Sequence, residues 1–199
     1  MSFEKIQQYE KDIYELSKKL TALRAETLSK PVDNYEFSTL TGTITLKDMF
    51  ADKEHLMVIH NMGQGCRYCT LWGDGINPFL PHLENIMSVA LVSKDSPELQ
   101  RKFANSRNWR FQMASHGGGK FMLEQSYSTH GDNFPGVSVY ELKEGNIMLK
   151  NRSEFGPYDQ FCSMWNLLSL AGLNDQNWTP QYNYWQRPVK MDDGGENLN

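Results

Sequence analysis

A chain of 199 residues, 39% hydrophobic and 22% charged, is long enough to bury one sizeable core and has the balance of a folded domain. Its net charge of −4, with Lys and Arg scattered along the chain, excludes the basic footprint of a nucleic-acid binder. The charged start Met-Ser-Phe-Glu-Lys lacks the apolar core of a signal peptide, and no apolar run approaches the ~20 residues of a membrane span. Three cysteines are too few for a stapled secreted scaffold, so the expected setting is a reducing cytoplasm, with neither nucleic acid nor membrane as partner.

Residues 3 to 28 read as one long helix. Ile6, Tyr9, Ile13, Leu16, Leu20 and Leu23 recur at alternating spacings of three and four, Ser2 can cap the start, and Pro31 lies just beyond the end. The seam has coiled-coil character, so this helix either packs on its own domain or serves as a homodimerisation arm. Residues 36 to 50 hold two short β-prone runs punctuated by Gly42, then a helical turn at Lys47–Phe50. His55 to Asn61 follows as a strand, apolar on successive residues from Leu56 to Ile59 as for a strand covered on both faces.

That strand delivers Met62-Gly-Gln-Gly-Cys66-Arg-Tyr-Cys69-Thr-Leu-Trp72, a glycine-punctuated turn opening a helix with two cysteines separated by two residues. The first cysteine falls where the unsatisfied N–H groups of the helix start converge, so a thiolate is stabilised there. Cys-X-X-Cys thiols at such positions ionise at roughly 3.5–7.5, against about 8.5 for a free cysteine. The second cysteine, one turn on, can resolve a mixed disulfide formed by the first. The alternatives are an inert pair or half a zinc site. A structural zinc site wants four ligands, and only Cys162 and His60 could join by tertiary accident, so no metal is expected.

Beyond Cys69, Gly73 and Gly75 should interrupt the helix, with Asn77-Pro78 capping a second segment to about Met87. Ser88–Ser93 reads as the next buried strand, and Asp95-Ser96-Pro97-Glu98 starts a helix reaching Asn108. Strand, helix, strand, helix implies right-handed parallel crossovers. Trp109 to Ser115 reads as a further short strand, and Ser115 to Asn133 as an irregular loop. Its glycines do not make a phosphate loop, because Phe121 rather than Ser or Thr follows Lys120. Val137–Leu142 and Ile147–Arg152 form a hairpin around Glu144-Gly145-Asn146. A helix from about Pro157 to Ala171 sends Phe161, Met164, Trp165, Leu167 and Leu168 toward the core and stops at Gly172. The aromatic tail Asn177–Pro188 should lie across the body, and residues 189 to 199 look disordered.

Taken together, this order resembles the thioredoxin fold over about residues 36 to 172: an α/β domain with a central mixed sheet flanked by helices. Boundaries of 1–30 for the helical extension, 31–175 for the thioredoxin-like domain and 176–199 for the tail follow. Within that superfamily the chain is similar to the bacterial DUF899 proteins, described as predicted dithiol–disulfide oxidoreductases. The likeness rests on Gly65-Cys66-Arg67-Tyr68-Cys69, Trp72-Gly73-Asp74-Gly75, Gly136-Val-Ser-Val, and Trp178-Thr-Pro leading to Tyr184-Trp-Gln-Arg-Pro188. It implies Cys66 as nucleophile, Cys69 as resolving thiol, and Pro135 as the proline, cis in thioredoxin-like folds, that faces the dithiol. It also implies no cofactor, a disulfide-containing protein or small molecule as substrate, and a cellular dithiol as reductant.

Two positions depart from thioredoxins. Gly65 replaces the tryptophan before the first cysteine, and Phe134 replaces the small or β-branched residue before the proline, so the docking surface is reshaped. Around the dithiol, Arg67 would add positive charge or simply be solvated, and His60 reads as an ordinary strand-end histidine ahead of a proton acceptor or electrostatic neighbour. Tyr68 and Trp72 could line a groove or simply pack. Asp74 is expected to cap the second helical segment, and Cys162, placed mid-helix, to be a small buried hydrophobe. A peroxiredoxin-like peroxidase is the rival reading, since Thr43-Ile-Thr-Leu46 resembles that branch. Peroxiredoxins place Thr or Ser three residues, and Pro seven, before the reactive cysteine. Here those positions hold Gly63 and Ile59 counted from Cys66, and Cys66 and Met62 counted from Cys69. A non-catalytic binding module on the same fold is the third reading.

Overall fold

The computed structural model describes residues 3–126 and 133–182. Its axis is β4 (His55–His60), whose successive apolar side chains divide between two cores. Leu56 and Val58 enter one core, while Ile59 enters the other with Met57 beside it. β5 (Ser88–Ser93) pairs parallel with β4, and β6 (Gln112–Ser115) pairs parallel with β5. β7 (Gly136–Lys143) runs antiparallel on the other side of β4, and β8 (Asn146–Glu154) antiparallel to β7. The hairpin turns through Glu144 and Gly145, both at positive φ, the geometry that matches strand twist in a two-residue turn. β1 (Lys30–Pro31), β2 (Glu36–Thr39) and β3 (Gly42–Thr45) complete one sheet of order β1-β8-β7-β4-β5-β6-β2-β3.

The first core, with Phe37, Phe50, Tyr140 and Phe121, is covered by a 3-10 turn at Asp48–Phe50 and by α5 (Lys120–Gln125). α5 lies in the stretch expected to be irregular. Its six residues are too few for periodicity to reveal, and Phe121 and Gln125, one turn apart, are its two buried residues. The second core, with Trp72, Trp109, Phe155 and Trp165, is covered by α2 (Arg67–Ile76), α4 (Pro97–Ser106) and α6 (Ser163–Leu170).

Three further elements differ from expectation. α2 runs unbroken through Gly73 and Gly75. Gly73 is required by packing, since a Cβ there would lie 2.4 Å from the Trp109 ring. Asn77 does not cap a new helix. Its side chain bonds the 108–110 strand entry, donating to Asn108 O and accepting from Arg110 N, while a 3-10 turn at Asn77–Phe79 leads straight into α3 (Leu80–Leu83). α6 begins at Ser163 rather than Pro157, because Asp159 holds the preceding turn, accepting from the backbone N–H of Gly156, Phe161 and Cys162. Cys162 is therefore the N-cap position, not mid-helix. Leu167 faces outward, 59% exposed, while Trp165 is buried, and Gly172 at positive φ ends the helix as expected.

α1 (Phe3–Glu26) forms over the expected stretch but has no buried residue. Trp178 packs edge-on against Trp165, and Tyr182 against Phe103, so the tail crosses the body as far as residue 182. The expected disorder of residues 189 to 199 and the remainder of the tail lie outside the described residues.

Candidate active site

The turn after β4 is built by the amide side chain of Asn61 and the carboxylate of Asp95. Asn61 Oδ1 accepts from Gly63 N at 2.8 Å, and Asp95, which follows β5, accepts from Gln64 N at 2.7 Å. Gly63 has φ of +113°, and a Cβ there would stand 2.8 Å from both Asp95 oxygens, so only glycine fits. The loop then closes with Cys66 N donating to Gly63 O at 3.0 Å.

Cys66 is the N-cap of α2, with extended backbone (φ −100°, ψ 105°), and its sulfur accepts from Cys69 N at 3.0 Å. Its carbonyl accepts from Thr70 N at 3.1 Å and Thr70 Oγ1 at 2.9 Å. Cys66 and Cys69 are joined as a disulfide, with Cα atoms 5.3 Å apart. Cys66 is half-buried and Cys69 is 3% exposed, so an incoming group meets the sulfur of Cys66 first. A sulfur in a helix N-cap receives backbone N–H donors and the positive end of the helix dipole, both of which favour a thiolate when the pair is reduced.

The other expected site residues divide into three groups. Arg67, Tyr68 and Trp72 share α2 with the cysteines. Arg67 is exposed and donates to Gln181 Oε1 of the tail at 3.1 Å. Tyr68 stacks on Trp165 with ring centroids 6.1 Å apart. Trp72 is buried against Phe155 and Trp165 and donates from Nε1 to Asp159 at 2.8 Å. Phe134 and Pro135 reach the site by topology: Gly136 pairs with His60, and Asn133 Nδ2 contacts Met62 O at 3.4 Å, so the entry to β7 runs beside the turn before the dithiol. The Phe134–Pro135 bond is trans, unlike the cis form the resemblance implies. The chain enters β7 already paired, with Pro135 O accepting from Phe155 N at 2.9 Å.

His60 points to the opposite face of the sheet. Its ring stacks on Phe121 at 5.3 Å and Nε2 meets Ser138 Oγ at 3.1 Å. Burial, and then the charges of His116 and Arg152, push it down to about 3. Asp74 does not cap a helix. It pairs with the Arg107 guanidinium and accepts from Trp109 Nε1 at 2.8 Å, locking α2 to the strand entry. Cys162 is a free, buried thiol that burial pushes up.

Asn61, Asp95, Asp159 and Gln181 were not singled out from the sequence. Asn61 alone had a local signal, an Asx residue two before a glycine at a strand end. Among the described residues no group of three His, Cys, Asp or Glu side chains gathers as a metal site, and no described helix is long and apolar enough to cross a membrane.

A mixed sheet with a Cys-X-X-Cys pair at the start of the helix after its central strand defines a thioredoxin-fold protein carrying a dithiol–disulfide pair. Solved structures bear out the fold. The chain is similar to the peroxidoxin BcpB of Mycobacterium tuberculosis (13% identity, TM-score 0.52, 63% of this chain and 84% of that one). It is similar to Prx3 of Vibrio vulnificus, solved reduced with hydrogen peroxide (16%, 0.52, 73% and 96%). It also resembles a Bacteroides thetaiotaomicron protein provisionally described as a protein disulfide isomerase (14%, 0.52, 72% and 88%). No curated protein matches the sequence. The chain belongs to the bacterial family of unknown function DUF899, whose model matches residues 4–190.

Proposed function

We propose that the protein is a dithiol–disulfide oxidoreductase. The observation that carries this reading is the sulfur of half-buried Cys66 in the N-cap of α2, accepting from Cys69 N and bonded to the sulfur of buried Cys69. In the reduced protein the Cys66 thiolate attacks one sulfur of a substrate disulfide, forming a mixed disulfide and expelling the first substrate thiolate. The Cys69 thiolate then attacks the Cys66 sulfur, restoring the intramolecular disulfide and expelling the second thiolate. Two electrons pass to the substrate, and the protons lost by Cys66 and Cys69 balance those taken up by the two product thiols. A cellular dithiol reverses the same exchange to regenerate the reduced pair, a role that suits a reducing compartment. Arg67 and Tyr68 flank the attacked sulfur in this reading, and Phe134 and Pro135 border it.

The test is trapping. A Cys69→Ser variant incubated with glutathione disulfide should carry one glutathione on Cys66, located by peptide mass spectrometry, while Cys66→Ser should carry none. Absence of the Cys66 adduct would count against the mechanism.

Thiol peroxidase activity is the second reading, favoured by the fold likeness to BcpB and Prx3. It ranks lower because the hydroxyl that peroxiredoxins place three residues before the reactive cysteine is Gly63 here, and Thr70 Oγ1 is directed to the Cys66 carbonyl. Peroxide consumption by the purified protein that disappears in Cys66→Ser would reverse the ranking.

A further inference from the structure

α1 carries an apolar seam of Ile6, Tyr9, Ile13, Leu16, Leu20 and Leu23, each 36–62% exposed. The helix is held to the body by polar contacts at its C-terminal half. Gln160 Nε2 donates to Ser17 Oγ, Asn151 Nδ2 to Arg24 O, and Lys150 Nζ to Ala25 O and Thr27 O. At 100° per residue the seam's mean direction lies about 60° around the helix from the Ser17–Arg24 line, so the tether borders one flank of the stripe and leaves its outer side exposed. None of the residues of this 24-residue helix is buried among the described residues, and an exposed apolar stripe of that length has the form of half an interface.

We infer that two copies of this chain associate through an antiparallel pairing of their α1 helices about a two-fold axis. The spacing fixes the heptad: Ile6, Ile13 and Leu20 at a, Tyr9, Leu16 and Leu23 at d, and Lys5, Asp12, Lys19 and Glu26 at g. In the antiparallel register Ile13 packs across from Leu16 of the second copy, Tyr9 from Leu20, and Ile6 from Leu23. That register sets Asp12 beside Lys19 of the second copy and Lys5 beside Glu26, each pair occurring twice, four attractive contacts in all. A parallel pairing instead sets Lys19 beside Arg24 of the second copy, a repulsion occurring twice that offsets its two Lys5–Glu10 attractions, so the flanking charges favour the antiparallel arrangement.

Area argues the same way. Covering twelve seam side chains removes on the order of 1,000 Å² from water, just short of the ~1,200 Å² at which stable interfaces begin. The remainder is at hand. The antiparallel register brings the 84%-exposed Phe3 of the second copy past Leu23 toward Arg24, at the rim of an open cavity of about 370 Å³ lined by Met57, Val137 and Val139.

The experiment is sedimentation equilibrium of the full chain and three charge variants, with circular dichroism to check that each is folded, as substitutions on an exposed helix face should leave it. The wild type should sediment at twice 23.0 kDa. Asp12→Lys and Lys19→Asp should each weaken association about tenfold or more, since each turns two attractions into repulsions, and the double variant should restore it. Parallel pairing predicts the opposite for Lys19→Asp, which would remove the clash with Arg24 and tighten the dimer. A monomeric wild type, including one that instead binds anionic lipid vesicles through the seam, overturns the inference. So does a Lys19→Asp variant that associates more tightly, or a double variant that stays weak.

Discussion

Gly73 and Gly75 stand two residues apart on the helix that carries the dithiol, and replacing each by alanine should move stability in opposite directions. At Gly73 the new methyl would sit 2.4, 2.7 and 3.0 Å from three carbons of the Trp109 ring, so ring or helix must move by about 1 Å to restore normal contact. The ring cannot yield easily. Trp109 is 4% exposed, its Nε1 donates to Asp74, and it meets Phe103 and Phe111 edge-on at 5.5 and 5.9 Å. Overpacking of this kind costs about 1–3 kcal/mol, and weakening the Trp109–Asp74 bond about 1.5–3 kcal/mol. The gain in helix propensity returns only about 1 kcal/mol. Gly73→Ala should therefore lose about 2–4 kcal/mol, lowering Tm by about 4–16 °C at ~2–4 °C per kcal/mol. At Gly75 a Cβ meets nothing within 4 Å and the site is exposed, so Gly75→Ala keeps the propensity gain and raises Tm slightly. Thermal unfolding followed by circular dichroism reads both. The account of how α2 is seated fails if Gly73→Ala is as stable as the wild type, or if both variants shift the same way.

Other expectations concern the site and the cores. In Cys69→Ser, which keeps the backbone N–H facing Cys66, iodoacetamide alkylation of Cys66 should rise to half its maximum below the pH of about 8.5 typical of free cysteine; a midpoint at or above that value removes the helix-end argument. Asp159→Ala strips partners from Trp72 Nε1 and three backbone N–H groups and should cost about 2–4 kcal/mol, measured as a shift of the urea midpoint; a loss below ~1 kcal/mol would mean the turn holds without it. His60 and His116, pushed down chiefly by burial to about 3 and about 4, bind protons less readily folded than unfolded. Their contribution to stability is thus complete above pH 6.5 and is lost as pH falls through 4 and then 3. His60→Gln with His116→Gln should flatten the acid side of Tm against pH, and an unchanged slope would show that carboxylates dominate it.

What could be read from the sequence was what is local. The run Leu56–Ile59 announced a strand buried on both faces, and Glu144-Gly145 between two β-prone runs announced a hairpin, because backbone geometry and side-chain period write those signals into neighbouring residues. The helix-end position of Cys66 was legible for the same reason: strand, glycine turn and first helical turn all fall within fifteen residues of one another. Contacts between distant segments were not. Gly73 reads as a helix breaker until Trp109 is seen against it, and Asn77 reads as a cap until residues 108–110 are seen to use both ends of its side chain.

The same distinction runs through the site. The chemistry of one sulfur is set by its own helix, but what surrounds it comes from afar: Asp95 beneath the Gly63 turn, Asp159 on the Trp72 indole, Gln181 on Arg67. Each of these is a polar side chain reaching across the fold to a group on or beside α2, and none has a periodic or motif signature. The placement of His60, which in the sequence reads either as an ordinary strand-end histidine or as a neighbour of the dithiol, follows from the alternation of β4. Strand alternation puts residue 60 on the same face as Val58 and Leu56, so its ring joins Phe121 in the far core while α2 packs on the side of Ile59. Parity along β4 ties His60 to Val58 and Leu56, but both parities are apolar, so the face that α2 covers was fixed only by packing between distant segments.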